Sequence, residues 1–393
     1  MTKDIFLLGS TGSIGETTLN IIKNDKKNFR VKLLTTNNNI DKILSQARAF
    51  NVKKIVIFDK KKLKKINLHI FKKTKIKVFD SINDALKNNR KKSYLTINAI
   101  SGIQGLEPSL EIIKHTKNLA IANKESIICG WNILNKELKK NNTGFIPLDS
   151  EHFSIWSLIR SENSKNIKKI YLTASGGPFL KKKLQNIHNI KPKFALKHPN
   201  WKMGKKITID SATMMNKIFE VIEASKIFNL DLRKFEILIH PKSYIHAIVH
   251  FHNGLTKILA HDTTMKIPLA NSLYSNKYNY SKNDNFNFNK LNGENFIKPP
   301  LQNFPLLKIL NYKYKNSYFE IILVCINDLL VKKYLENKIS YISIHQYMLT
   351  LLRKSYFKKY YMSKPKKIHE IKLMISKVNE FVEKYLSLKD AKK

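Results

Sequence analysis

The sequence predicts an α/β protein in three parts: an N-terminal Rossmann-type parallel sheet, a middle α/β catalytic domain and a C-terminal helical domain. Three observations carry that expectation. A strand-like run, Asp4 to Gly9, is closed by the turn Gly9-Ser10-Thr11-Gly12-Ser13-Ile14-Gly15, and a helical pattern through Leu19, Ile21 and Ile22 follows. Strand patterns recur at Val31–Leu34, Lys54–Phe58, Ile76–Phe79, Tyr94–Ala99 and Leu119–Ala122, with helical patterns such as Ile40–Phe50 and Leu110–His115 between them. Such alternation builds a parallel sheet with helices on its faces. From Phe304 onward the pattern turns helical and lysine-rich.

After Pro147 the texture changes. Short strand patterns, Lys169–Thr173 and Glu236–Ile239, alternate with Gly/Pro loops, and one long helix is expected from Ser211 to Phe228. Tyr274–Pro300 is rich in Asn, Lys and Tyr and reads as a linker. The expected parts are 1–148 for the nucleotide, 149–275 for catalysis, 276–303 as linker and 304–393 as helical domain.

Length and composition bound the answer. At roughly 150 residues per domain, a chain of 393 residues has two or three domains and ample core. A hydrophobic share of 42% argues against disorder. No segment reaches the roughly 18 apolar residues of a membrane span; the best run, Ile321–Ile326, stops at Asn327-Asp328. The N-terminus does not read as a signal peptide, because glycines follow the short apolar run at once. The two cysteines, Cys129 and Cys325, have no CxxC neighbour, which points to a reducing cytoplasm. The net charge of +43 raises a nucleic-acid binder as an alternative. The lysines are spread along the chain, however, and do not gather in one arm, as composition drift would leave them.

The glycine turn sits between a strand and a helix, the context that makes it a dinucleotide motif. Glycines let the backbone approach a pyrophosphate, and the helix N-terminus offers free N–H groups. An NAD enzyme usually places an acid at the end of the second strand, about 20 residues on. Here Thr36 is followed by Asn37, Asn38 and Asn39, which favours NADP.

Two segments carry carboxylates. In an extended Pro147–His152 segment, Asp149 and Glu151 would point to the same side. Such a pair either sits exposed on a loop or shares a cation. Asn216, Lys217 and Glu220 share one face of the expected helix, a polar stripe among apolar neighbours that is costly to bury without partners. All-oxygen ligation by Asp149, Glu151 and Glu220 suits Mg²⁺ or Mn²⁺ rather than Zn²⁺. His246, His250 and His252 read as one polar face of a strand. Ser175-Gly176-Gly177-Pro178 can form an anion-binding nest or a plain turn. His198-Pro199-Asn200-Trp201-Lys202-Met203-Gly204-Lys205 reads as a lid or a surface loop.

Together these stretches resemble the 1-deoxy-D-xylulose-5-phosphate reductoisomerase family. The matches are Gly9–Gly15, Ala122-Asn123-Lys124-Glu125-Ser126, Asp149–His152, Ser175–Phe179, His198–Trp201, Asp210–Lys217 and His240-Pro241-Lys242-Ser243, in the family's order. The resemblance implies a homodimer that uses NADPH and Mg²⁺ or Mn²⁺ to convert 1-deoxy-D-xylulose 5-phosphate to 2-C-methyl-D-erythritol 4-phosphate, a step toward isoprenoid precursors. It implies Asp149, Glu151 and Glu220 as metal ligands. Lys124, Ser150, Glu151, Ser175, His198, Ser211, Asn216, Lys217 and Glu220 would contact the phosphorylated sugar. Thr11, Gly12, Ser13, Ile14, Asn123, Glu125 and Gly204 would contact NADPH, beside Asn37, Asn38 and Asn39. Trp201 and Met203 would belong to a mobile lid. The family's Gly-Lys-Asn-like turn after the second strand is replaced by Asn37–Asn39. Its C-terminal Asn-Ala-Ala-Asn-Glu-like stretch is eroded to Val324-Cys325-Ile326-Asn327-Asp328, so looser packing is expected there. Besides the basic nucleic-acid binder, with Tyr274–Tyr280 as its one aromatic-basic hint, another NADP-linked sugar dehydrogenase is the rival reading; it would not need three convergent carboxylates.

Overall fold

The computed structural model describes residues 2–64, 75–201, 203–275, 277, 288–312 and 316–390. Most of the Tyr274–Tyr280 hint, and residues 276 and 278–287 of the expected linker, lie outside the described residues. The chain divides into two compact units.

The first unit comprises Met1–Ser126, Leu134–Phe153 and Thr264–Asp284. Its strands are β1 (Lys3–Leu8), β2 (Phe29–Thr36), β3 (Lys54–Ile57), β4 (Lys77–Phe79), β5 (Leu95–Asn98), β6 (Asn118–Ile121) and β7 (Gly144–Pro147). They form one parallel sheet in the order β4-β3-β2-β1-β5-β6-β7. β1 reads as a continuous apolar run because a parallel sheet is covered on both faces; Ile5, Leu7 and Leu8 are fully buried. Helices α1 (Ser13–Lys23) and α2 (Ile40–Ala49) send Leu19, Ile22 and Ile43 into the core. A later helix, Lys266–Tyr274, adds Leu269, Ala270 and Leu273 to that core. After β4 the chain crosses to the other side of β1, so strand order reverses between β1 and β5. In sheets of this kind a ligand crevice opens at that switch point.

The second unit comprises Ile127–Ile133, Ser154–Thr263 and Asn285–Lys393. Its sheet has the order β11-β10-β8-β9. β8 (Ile167–Ala174) runs parallel to β9 (Phe235–Ile239) and antiparallel to β10 (Ile245–Phe251), which pairs with β11 (Thr256–Ala260). Its C-terminal part is helical, as the lysine-rich pattern predicts, and includes Tyr318–Leu335, Tyr341–Leu352 and Ile368–Asp390. Tyr318–Leu335 opens with a capping box, Ser317 and Glu320 satisfying each other's backbone N–H groups. Val324, Ile326 and Asn327 are fully buried, so the eroded stretch is a packed segment and not a loosened one.

Two local expectations are corrected. The single helix expected over Ser211–Phe228 is broken into Lys205–Ala212 and Met215–Ile227, with Met214 between them at φ 65°. Non-glycine residues rarely adopt that conformation, and an apolar run through Met214 gives no hint of it. The histidine face is also different. His252 lies past the end of β10, and His246 is buried, stacked on His261 with ring centroids 3.8 Å apart.

Candidate active site

The glycine turn is built from backbone. Gly9 sits at φ 74°, and a Cβ there would meet the carbonyl carbon of Ala99 and the nitrogen of Ile100 at 2.9 Å, just beyond β5. A Cβ on Gly15 would stand 2.5 Å from the Gly9 oxygen. Only glycine therefore lets β1 hand over to α1 so tightly. Gly12 caps α1 with no side-chain hydrogen bond, leaving Ser13 and Ile14 in its open first turn. The turn is tied to the end of β2: the Gly9 N–H donates to Thr35 Oγ1 at 2.9 Å, and the Thr11 and Thr36 hydroxyls lie 2.8 Å apart.

No acid stands at the end of β2. Asn37 accepts the Asp59 N–H at 3.0 Å, and Asn39 caps α2 through the Lys42 N–H at 3.3 Å. Lys62 brings its Nζ within 3.5 Å of the Asn38 carbonyl. Lys62 was not among the residues named from sequence; the run Lys60-Lys61-Lys62 after β3 was its only signal. Asn123 caps the Lys124–Lys140 helix by accepting the Ser126 N–H at 3.1 Å, which puts Lys124 and Glu125 in the first helical turn. Gly204 caps Lys205–Ala212 at φ −63°, with open space where a Cβ would be.

Asp149 and Glu151 are placed by a helix start, not by the extended segment the sequence suggested. Ser150–Ile159 is helical, and Asp149 accepts the Glu151 N–H at 3.2 Å. The Asp149 carboxylate is ion-paired with Lys124 Nζ, and both residues are buried. The Ser150 hydroxyl donates to Glu151 Oε2 at 2.5 Å. Fully buried His152 brings Nδ1 to 3.3 Å from Asp149 Oδ1. Sequence reading passed over His152 as a site residue, although its place three positions after Asp149 is the signal once a helix starts there.

Glu220 is 1% exposed in Met215–Ile227, where Asn216 Nδ2 donates to its Oε1 at 2.5 Å and Lys217 Nζ ion-pairs with its Oε2. One carboxylate oxygen from each of Asp149, Glu151 and Glu220 lies within 4.8 Å of the other two. Three oxygen donors, two of them on buried residues, fit a hard divalent cation.

Ser175, His198 and Ser211 meet through one imidazole. His198 Nε2 stands 3.1 Å from Ser175 Oγ and 3.2 Å from Ser211 Oγ. Its Nδ1 receives the N–H groups of Asn200 at 3.2 Å and Trp201 at 3.0 Å. A ring nitrogen that accepts two amides carries no proton, so this network assigns the proton to Nε2. Burial, and then the charge of Lys217, push the His198 pKa down to about 4, which keeps the ring neutral at pH 7. Gly176 (φ 83°) and Gly177 (φ 67°) follow Ser175, and the Gly177 N–H donates to Ser175 Oγ at 3.1 Å. The set is a polar, donor-rich surface suited to a phosphate.

The segment expected to form a lid is held at its start by side-chain contacts. Asn200 Nδ2 donates to the Pro241 carbonyl at 2.6 Å and to Ser243 Oγ at 2.8 Å, and the Trp201 ring stands edge-on to His246 at 6.1 Å. Met203 is half-buried.

Three family models match the chain: 1-deoxy-D-xylulose 5-phosphate reductoisomerase over residues 5–130, the C-terminal domain of that enzyme over 145–228, and the DXP reductoisomerase C-terminal domain over 261–380. The 1-deoxy-D-xylulose 5-phosphate reductoisomerase of Pelagibacter ubique is 52% identical over 373 residues, covering 94% of this chain and 96% of its own. That of a Sulfurihydrogenibium species is 36% identical, covering 88% and 90%. Among solved structures, the Zymomonas mobilis reductoisomerase in complex with NADPH has TM-score 0.87 at 28% identity, covering 98% and 99%. A DOX-P reductoisomerase with NADPH, fosmidomycin and magnesium has TM-score 0.88 at 29% identity, covering 99% of each chain.

Proposed function

The chain belongs to the 1-deoxy-D-xylulose 5-phosphate reductoisomerase family, and from that membership we propose how its own residues carry out the reaction. The reaction is the NADPH-dependent rearrangement and reduction of 1-deoxy-D-xylulose 5-phosphate to 2-C-methyl-D-erythritol 4-phosphate, with magnesium as the divalent cofactor and isoprenoid precursors as its end. Mn²⁺ suits the same oxygen donors.

When bound, the cation supplies Lewis acidity toward the substrate's carbonyl and hydroxyl oxygens, and NADPH supplies the hydride. Asp149, Glu151 and Glu220 hold the cation. The convergence of their oxygens within 4.8 Å is the observation that carries this reading. Ser150 fixes the Glu151 carboxylate by its hydrogen bond, and Asn216 and Lys217 fix that of Glu220. Lys124 Nζ, beside Asp149, holds a proton that it can offer to a substrate oxygen. Ser175, neutral His198 through its Nε2–H, Ser211, Asn216 and Lys217 grip the phosphate, and that binding energy positions the reacting carbons. Thr11–Ile14, Asn123, Glu125 and Gly204 contact NADPH, and Asn37–Asn39 with Lys62 receive its ribose end. Trp201 and Met203 exclude water as the lid closes.

The domain assignment follows the same reading: 1–148 for NADPH, 149–275 for metal and substrate, 276–303 as linker and 304–393 as helical domain. We place the enzyme in the cytoplasm as a homodimer. Among the described residues no helix is long and apolar enough to cross a membrane. β11 is an edge strand flanked and lined by exposed Leu255 and Ile258, a surface that a second copy would cover. The test of function is loss of NADPH absorbance on adding the ketose phosphate, abolished by EDTA and restored by Mg²⁺. Oxidation that continues unchanged in EDTA would remove the metal reading.

A further inference from the structure

We propose that Tyr341 and Asn327, buried in the C-terminal helices, are positioning residues that hold the Ser211 segment from both flanks for phosphate binding. This rests on the reading that Ser211, with Ser175 and His198, receives the substrate's phosphate. Each grips a sequence neighbour of Ser211. On one side, Asn327 Nδ2 donates to Asp210 Oδ1 at 2.7 Å, and Lys206 Nζ lies 3.1 Å from Asp210 Oδ2. On the other, the Tyr341 hydroxyl donates to the Ala212 carbonyl at 2.8 Å.

The place of these contacts gives them their effect. Ala212 is the last residue of Lys205–Ala212, where helical carbonyls run out of partners within the helix. Two residues later Met214 adopts the left-handed conformation and the next helix starts. Ser211 therefore lies at a sharp break, and such a break keeps its geometry only when its surroundings over-determine it. Asp210, Asn327 and Tyr341 are each no more than 2% exposed, so these bonds form away from water. The Tyr341 ring also packs edge-on against Phe179, at 5.3 Å and 75°, in the segment that follows the Ser175–Gly177 nest. The nest itself presses on the break: a Cβ on Gly177 would stand 3.1 Å from Ala212 Cα and from the Ser211 oxygen. One aromatic residue thus supports both segments that present serines to His198 Nε2.

The eroded stretch that the sequence marked as a departure, Val324–Asp328, is where Asn327 resides. Its neighbour Asp328 pairs with Lys206 at 2.9 Å, so the stretch keeps two contacts on the Lys206–Asp210 turn of the helix.

The experiment is steady-state kinetics of Tyr341→Phe and Asn327→Leu at saturating NADPH and Mg²⁺, with 1-deoxy-D-xylulose 5-phosphate and with 1-deoxy-D-xylulose lacking the phosphate. Loss of one buried hydrogen bond predicts a rise of about fivefold in KM for the phosphorylated sugar. The KM for NADPH and kcat/KM for the unphosphorylated sugar should stay unchanged. A purely structural role would lower kcat/KM for both sugars by the same factor, and that result, or no change in either variant, overturns the proposal. Ser211→Ala is the control. If it too leaves KM for the phosphorylated sugar unchanged, the phosphate reading itself falls and the proposal with it. If it raises that KM while both C-terminal variants are silent, only the positioning role falls.

Discussion

The glycine turn of the first unit and the Ser175–His198–Ser211 group of the second are both read as anion sites, yet they are made of different atoms. The turn offers backbone N–H groups at the open end of α1, and its side chains add no cap. Its geometry is enforced by the absence of Cβ atoms at Gly9 and Gly15. The second group offers hydroxyls and one imidazole, drawn from segments around residues 175, 198 and 211 and tied together by hydrogen bonds of 3.1 and 3.2 Å. A backbone site is local and tolerates changes elsewhere in the chain. A side-chain site is only as good as the packing that holds its separate segments in place.

The contrast can be broken or sharpened by substitution. The largest effect is expected outside both anion sites: Glu220→Gln should lower kcat by at least about a thousandfold, roughly 4 kcal/mol, because the carboxylate proposed to hold the cation is lost. NADPH affinity, followed by nucleotide fluorescence, should stay within about twofold. Equal loss of both would mean that Glu220 supports the fold and not the cation.

Gly15→Ala comes next. Its new Cβ would meet only backbone, the Gly9 oxygen at 2.5 Å. Overpacking of this kind predicts NADPH binding weaker by about a hundredfold, near 3 kcal/mol, with the KM of the sugar phosphate little changed. Undiminished NADPH affinity in the titration would show that the turn is not the pyrophosphate site.

His198 tests the side-chain site through pH. Its folded pKa of about 4 lies below the ordinary 6.5, so the unfolded chain takes up the proton first. The stability due to neutral His198 is complete above pH 6.5 and is lost as pH falls toward 4, by roughly 1–2 kcal/mol once solvent screening of this partly exposed ring is allowed for. Denaturant unfolding of the native chain against His198→Asn should show that difference shrinking between pH 7 and pH 4. A difference that grows on acidification would mean the imidazole is charged in the folded state.

The smallest effect belongs to Lys62→Ala. A solvent-facing cation near a 2′-phosphate is worth about threefold in NADPH affinity and nothing for NADH. Equal loss for both nucleotides would place Lys62 away from the ribose end.

Much of the fold was legible because its signals are local. The alternating strand and helix patterns of residues 4–122 match β1–β6 to within a few residues, since each parallel strand must be apolar wherever it sits in the sheet. The strand Gly144–Pro147 and the hairpin partner Thr256–Ala260 were not singled out; a four-residue edge strand and a half-exposed one lack a continuous apolar run. Asp149, Glu151 and Glu220 were legible as an acid set, but the geometry offered for the first two was wrong, because a helix that begins at Ser150 is capped by Asp149 and turns Glu151 with it.

Sequence by itself determined which residues this protein has for chemistry, the glycine turn that forces a tight strand-to-helix passage, and the family to which the motifs point. Only the tertiary structure decided the break at Met214, the burial of the Val324–Asn327 run, the proton on His198 Nε2, and the grip of Tyr341 on Ala212. The physical reason is range. Backbone conformation and apolar periodicity are set by neighbours a few positions away, whereas a hydrogen bond between residues 212 and 341 depends on every element packed between them.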